Sequence, residues 1–260
     1  MSPLIAALIV GMLQGLLEWL PISSQGNLVL LMVALLGLEP ADALGLSVYL
    51  HLGTGLAALV YFRADFARIL RMESESSRRL FRFLISATAA TGVVGLPLFL
   101  FARVASFYGE ALLGLTGVAL ISTGVIERSA RRRGARTAEA LSTREGLLLG
   151  VVQGLSALPG VSRSGVTTSA LLLRGFSGEA AFRVSFLMSV PAVFAAAAGL
   201  MMMEGAPALG LSFLAAVVAS FLAAFASIDL LLRVARRVQF WRLCVALGLV
   251  ALLVLIPYLA

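Results

Sequence analysis

The stretch EWLPISSQGN, Glu18–Asn27, interrupts an N-terminal segment that is otherwise almost wholly apolar. It puts a carboxylate, a proline and a serine pair where a hydrophobic run would be expected to continue. Its reading depends on the solvent around the chain. The 260 residues are 60% hydrophobic and only 13% charged, with a mean hydropathy of +1.02, whereas a soluble domain carries about 25% charged residues. Several apolar runs of about 17 to 24 residues follow one another, the length that a bilayer core requires. A transmembrane β-barrel would show short alternating segments instead. The composition therefore predicts an all-α polytopic membrane protein, and Glu18 lies at membrane depth within it.

Six segments are long enough to span: Leu46–Phe62, Phe83–Phe101, Ala111–Ile126, Phe182–Met203, Leu209–Leu232 and Leu243–Tyr258. Two regions, Leu4–Leu38 and Gly146–Gly175, are apolar but broken centrally by proline and serine, and each resumes for only about a dozen residues. At ~1.5 Å per residue such an arm crosses about half of the hydrocarbon core. Both regions read as re-entrant helical hairpins, tolerated at that depth only where protein or a water-filled cavity surrounds the break. The expected organisation is one membrane domain over 1–260: a first half, 1–126, containing hairpin 4–38; a cytoplasmic linker, 127–145; and a second half, 146–260, containing hairpin 146–175.

Charge sets the orientation. The net charge is +7 and all 20 basic residues are arginine, which by itself suggests nucleic-acid binding. The arginines instead gather in three short loops, Arg63–Arg82, Arg128–Arg144 and Arg233–Arg242, the positive-inside pattern of a membrane protein. No nucleic-acid partner is expected. With those loops cytoplasmic, Leu38–Gly45, Arg103–Glu110 and Glu204–Leu209 are external, so the first hairpin enters from outside and the second from inside. Cys244 is the only cysteine, so no internal disulfide forms. The start of the chain lacks a basic region and a clear cleavage site, so no cleaved signal peptide is expected.

The hairpins also match in sequence. At an offset of 139, GMLQGLLEWLPISSQG (Gly11–Gly26) lies over GVVQGLSALPGVSRSG (Gly150–Gly165), with identities at Gly11/Gly150, Gln14/Gln153, Gly15/Gly154, Leu16/Leu155, Ser23/Ser162 and Gly26/Gly165. Glycine and leucine match cheaply in such a chain, but two of its four glutamines align. Opposite entry and aligned sequence describe an inverted repeat whose broken helices meet near the midplane.

At the tips, Gln14 and Glu18 share one helix face, Pro21 cannot continue that helix, and Ser23 and Ser24 occupy the cap region of the next arm. In the second hairpin Pro159 and Gly160 break the chain ahead of Ser162, Arg163 and Ser164. Two helix N-termini then converge, an arrangement suited to anions, and Arg163 adds a planar fork for phosphate. Serines at such positions also serve as simple caps. Glu18 and Arg163, each costing at least about 2.5 to 3.5 kcal/mol at membrane depth, also satisfy each other as a structural ion pair. The sequence leaves that reading open beside phosphoryl chemistry.

These motifs resemble those of the undecaprenyl-diphosphatase (bacitracin-resistance) family. QGLLEWLPISSQGN is similar to its first signature, E/Q-x3-E followed by L-P-I/V-S-S-x-G-H. PGVSRSGVT, Pro159–Thr167, fits its second signature, P-G-x-S-R-S-G-x-T, at every position. FRVSFLMSVP (Phe182–Pro191) and VYFR (Val60–Arg63) look like family segments in the same order. The resemblance implies a membrane phosphatase that converts a polyprenyl diphosphate into the monophosphate carrier lipid, in a pocket open to the outer face of the membrane. It makes Glu18 the second catalytic glutamate, Gln14 the permitted amide at the first position, Ser24 the proposed nucleophile, with directly activated water as the alternative, and Arg163 the phosphate clamp. Gln14, Ser23, Asn27, Ser162, Ser164, Gly165 and Thr167 fall around the substrate. A divalent cation, Mg²⁺ or Ca²⁺, is implied as well, with Glu18 as its ligand or as the acceptor of the nucleophile's proton. Asn27 replaces the family's histidine, and an amide cannot act as a base near neutral pH. His51, the only histidine, lies in YLHLGTG on another helix and is expected to be a hydrogen-bonded interior residue more than a substitute base. The rival expectation is a transporter or flippase of a polyprenyl phosphate that uses the same anion site without hydrolysis. Lipid is the other partner, and the sequence admits a homodimer.

Overall fold

Ser2 caps the first helix, its Oγ accepting from Ile5 N at 3.4 Å, and Pro3 follows at the first helical position, where its missing N–H costs nothing. The computed structural model describes residues 2–106, 109–129, 134–205, 207, 209–237 and 241–259. Those residues form α1 (Pro3–Leu17), α2 (Ser24–Leu36), α3 (Pro40–Tyr61), α4 (Arg63–Arg71), α5 (Glu75–Ser106), α6 (Gly109–Ser129), α7 (Thr143–Gly154), α8 (Arg163–Leu173), α9 (Gly178–Glu204), α10 (Leu211–Arg237) and α11 (Trp241–Leu259). Short 3₁₀ turns cover Ala138–Ala140 and Leu155–Ala157. Among the described residues five helical segments are long and apolar enough to cross a membrane: Pro40–Tyr61, Glu75–Ser106, Leu112–Ser129, Gly178–Glu204 and Leu211–Leu230. Their outward residues, such as Ile85, Val93, Val118, Met202 and Leu222, are large, apolar and exposed, as lipid contact requires. The protein is an all-helical membrane protein.

The expected arginine loops are largely helical. Arg63–Arg82 is α4 plus the start of α5, and Arg233 and Arg242 lie on α10 and α11. Arginine is a good helix former, and these turns continue the apolar helices beside them. Parts of the expected connections, residues 107–108, 130–133, 206, 208 and 238–240, lie outside the described residues. The C-terminal part of the linker clasps the second half: Arg136 and Phe176 form an isolated β-bridge, and Arg136 and Arg174 donate to Glu145 Oε1 at 2.7 and 3.1 Å. Burial opposes ionisation of Glu145, but those two arginines outweigh it and hold its carboxyl below the usual range. This contribution is present at neutral pH and is lost as the pH falls through the lowered value.

The packing repeats when the halves are exchanged. α1 lies along α10 as α7 lies along α5; α2 meets α3 as α8 meets α9; α3 pairs with α9 and α6 with α11. The aligned glycines explain the first of these pairings. A Cβ on Gly11 would collide with Ala216 O of α10, and one on Gly150 with Ala87 O of α5. Backbones that touch in this way gain van der Waals contact where the surrounding lipid supplies no hydrophobic drive. Two apolar clusters each draw on both halves of the chain, one around Val10, Leu28, Met32, Leu44, Leu50 and Ala216, the other around Phe83, Leu149, Leu171, Phe176 and Leu187.

Gly150→Ala should therefore lower stability by about 1–3 kcal/mol through overpacking, read as the thermal midpoint in detergent. Gly199→Ala, whose added methyl meets nothing within 4 Å, should not lower it.

Candidate active site

Both helix breaks are capped in the same way. Ser23 precedes α2 with a left-handed φ of 57°, and its Oγ accepts from Gly26 N at 3.3 Å. Ser162 precedes α8, and its Oγ accepts from Gly165 N at 3.2 Å. These are the aligned serines of the two hairpins. The breaks then lock together. Ser23 Oγ also accepts from Gly160 N at 3.1 Å, and Ser164 Oγ donates to Leu20 O at 3.3 Å. A Cβ on Gly26 would lie 2.7 Å from Gly160 N, so only glycine lets the two breaks meet this closely.

Glu18 stands at the centre, at the C-terminal end of α1 and 5% exposed. One carboxylate oxygen, Oε1, pairs with Arg163 Nη2 of α8. The other, Oε2, accepts from Ser24 Oγ at 2.7 Å and from Gln14 Nε2 at 3.1 Å, and lies 3.2 Å from His51 Nε2. Trp19 next in sequence anchors this arrangement, donating Nε1–H to Ala224 O at 3.0 Å and meeting Phe186 edge-on. Arg163 lies over the Phe186 ring at 5.4 Å.

A cavity of about 400 Å³ opens on this cluster. At one end it is lined by Glu18, Ser23, Ser24, His51, Ser162, Arg163 and Ser164. From there it follows α5 from Thr88 to Phe99 and α9 from Ser189 to Met203, along small and apolar residues that include Gly92, Gly95, Leu96, Ala192, Ala196, Gly199 and Leu200. The α5 wall is about 16 Å long at ~1.5 Å per residue. The C-terminal ends of α5 and α9 are tied by the Arg103–Glu204 ion pair.

The other expected site residues stand behind the cavity lining. Gln14 acts on it only through Glu18. Thr167 Oγ1 bonds Arg163 O at 2.7 Å and Ser185 Oγ at 2.6 Å, and Gly165 packs against Glu127. Asn27 is turned onto the chain break, donating Nδ2–H to Ile22 O and Ser23 O at 2.7 and 2.9 Å; it supports the turn and does not line the cavity. His51 corrects the sequence reading. Its ring is hydrogen-bonded and interior, as expected, but it lines the cavity and touches Glu18. No local motif announces it, because α3 carries it in from elsewhere in the chain. Gln153 was also missed as a site residue. Its Nε2 donates to Thr91 Oγ1 at 3.0 Å and its buried Oε1 has no partner in the described structure. Its alignment with Gln14 was the available signal.

The donor set does not fit a divalent cation held by the protein itself. Glu18 already accepts at both oxygens, with a guanidinium on one of them. The described residues contain no group of three His, Cys, Asp or Glu able to hold a metal ion.

These features define a class: a helical membrane protein with a buried acid–arginine site where two broken helices meet. The chain belongs to the bacitracin resistance protein BacA family, whose model matches residues 7–251. It is 40% identical over 258 residues to an undecaprenyl-diphosphatase of Haloarcula marismortui, covering 95% of this chain and 96% of the relative. Similar relatives with the same name come from Methanothrix thermoacetophila, at 43% over 248 residues (95% and 94% covered), and Methanococcoides burtonii, at 42% over 267 residues (97% and 98%).

Calorimetric titration of the purified protein with Mg²⁺ or Ca²⁺ alone should show no saturable site tighter than about millimolar. A micromolar site would mean that the carboxylate cluster rearranges to bind metal.

Proposed function

We propose that this protein hydrolyses the phosphoanhydride of a polyprenyl diphosphate, undecaprenyl diphosphate by the names of its relatives, releasing the monophosphate carrier lipid and inorganic phosphate. This activity returns the carrier to cell-envelope synthesis and confers resistance to bacitracin. The observation that carries the reading is Glu18, Ser24 and Arg163 gathered at the charged end of a cavity whose walls along α5 and α9 are mostly small and apolar. An anionic head on an isoprenoid tail has the same division of chemistry.

In this reading Arg163, the α2 and α8 N-termini and the surrounding hydroxyls hold the terminal phosphate and stabilise the charge developed in transfer. Ser24 Oγ attacks the terminal phosphorus while Glu18 Oε2, 2.7 Å away, takes its proton. The bond to the bridging oxygen breaks and the prenyl monophosphate departs. Water then cleaves the phosphoserine, which releases phosphate and restores Ser24. Gln14 orients the carboxylate. No step is assigned to a metal; a Mg²⁺ or Ca²⁺ ion would come chelated to the substrate's diphosphate. The transport reading has no comparable support, since the relatives carry a diphosphatase's name.

The same proposal extends to topology. Residues 1–126 and 146–260 are inverted halves, α1–α2 and α7–α8 are re-entrant hairpins, and α11 is a sixth span. The cavity faces the outside of the cell membrane. Support comes from the exchangeable helix pairings and from the clustering of arginine in three stretches of the sequence. Cysteines introduced near Asp42 and Glu204 should label from outside intact cells, and those near Arg78 should not; the reverse pattern overturns the orientation.

Phosphate release from prenyl diphosphates tests the chemistry. Glu18→Gln should lower turnover by about two decades or more, and Arg163→Lys, which keeps charge but loses the fork, should remain badly impaired. If Arg163 serves only to neutralise Glu18, the double variant Glu18→Ala/Arg163→Ala recovers activity over either single variant. A catalytic pair predicts no recovery.

A further inference from the structure

His51 sits where no motif requires it, and its hydrogen bonds determine its protonation. Nδ1 lies 2.6 Å from Ser47 O. A carbonyl oxygen can only accept, so Nδ1 carries a hydrogen. Nε2 faces Glu18 Oε2 at 3.2 Å, and two lone pairs do not face each other at that distance, so a proton lies between them. Glu18 is already the acceptor for Ser24 Oγ and Gln14 Nε2 and the partner of the Arg163 guanidinium. That is the environment of an ionised carboxylate. Placed on His51, that proton makes the ring an imidazolium.

Glu18 thus has a cation on each oxygen, Arg163 on Oε1 and His51 on Oε2. The charged groups facing His51 are Glu18, from the α1–α2 break, and Arg163, from α8. A phosphate clamp must turn its fork toward the substrate, and a guanidinium held on Glu18 is not free to do so. Withdrawing the only counter-ion from a buried carboxylate is strongly unfavourable. We propose that His51 is the resident counter-ion of Glu18, which allows Arg163 to leave the carboxylate and engage the substrate's phosphate. His51 is in this sense a positioning residue that acts through Glu18. The inference rests on the diphosphatase reading for the identity of the anion, but not for the charge balance.

The test measures binding of methylenediphosphonate, a non-hydrolysable diphosphate, to purified protein in detergent, alongside turnover of a prenyl diphosphate. His51→Gln keeps an N–H donor for Glu18 but removes the charge. It should weaken methylenediphosphonate binding by about tenfold or more and lower kcat, with the thermal midpoint retained. Glu18→Gln/His51→Gln removes both charges and frees Arg163, so affinity should return to near the wild-type value. His51→Lys restores a cation and should bind better than His51→Gln, which keeps the comparison informative if the Gln variant folds poorly. Wild-type affinity in His51→Gln, a double variant as weak as the single one, or identical behaviour of the Lys and Gln variants would each overturn the assignment. Wild-type protein that releases no phosphate while the affinity pattern holds would instead remove the hydrolase reading and leave the counter-ion role standing.

Discussion

The Glu18 carboxylate is buried among groups from four helical elements: Gln14 from α1, Ser24 from α2, His51 from α3 and Arg163 from α8. A charge at this depth is tolerated only when each oxygen is matched, and removing one partner of such a pair typically costs about 3–5 kcal/mol. That requirement joins the two halves of the chain at their helix breaks. It also explains why the breaks interlock through Ser23 and Ser164 and do not merely lie near each other. A small displacement of either tip would leave the carboxylate, or the N–H groups around it, without partners.

The scaffold meets this demand with close backbone contact. Gly11 on α1 and Gly150 on α7 bring those helices against α10 and α5, so each broken helix is held by a long neighbour along its continuous arm. The interrupted backbone is thereby enclosed in protein, the condition that the proposed re-entrant hairpins would have to meet. With the tips fixed, α5 and α9 are left to line a cavity that is charged at one end and mostly small and apolar along the rest. The proposed chemistry follows from that division: the head's charge is handled by groups that are already paired and oriented, and the tail needs only small residues that leave room.

Much of this was legible in the sequence because each signal was local. Ser23 and Ser162 could be read as caps from their position after a break, and both are. Pro21 and Pro159 marked where the apolar runs stop. The errors were of another kind. Thr167, Gly165 and Asn27 belong to the motifs, yet they back up the turns or Arg163 and do not line the cavity. His51 belongs to the cavity, yet spacing in the chain does not connect it to the motifs; Gln153 belongs there too, and only its alignment with Gln14 pointed to it. The arginine-rich stretches looked like loops because charge interrupts hydropathy, whereas α4 and the ends of α5, α10 and α11 take up much of two of them.

The sequence by itself determined the solvent, the helical class, the two breaks and the residue types able to handle a phosphate. Those properties depend on composition and on neighbours within one or two turns, where hydrophobic run length and capping chemistry act. Only the tertiary structure decided which groups share Glu18. The contacts of Arg163 and His51 with Glu18 span 145 and 33 positions of the chain, and they form only when separate helices pack at a particular angle and register. Asn27 shows the same division from the other side. Its position in the motif was plain, but the backbone carbonyls of Ile22 and Ser23 drew its amide inward, and the imidazole at Glu18 came from another helix.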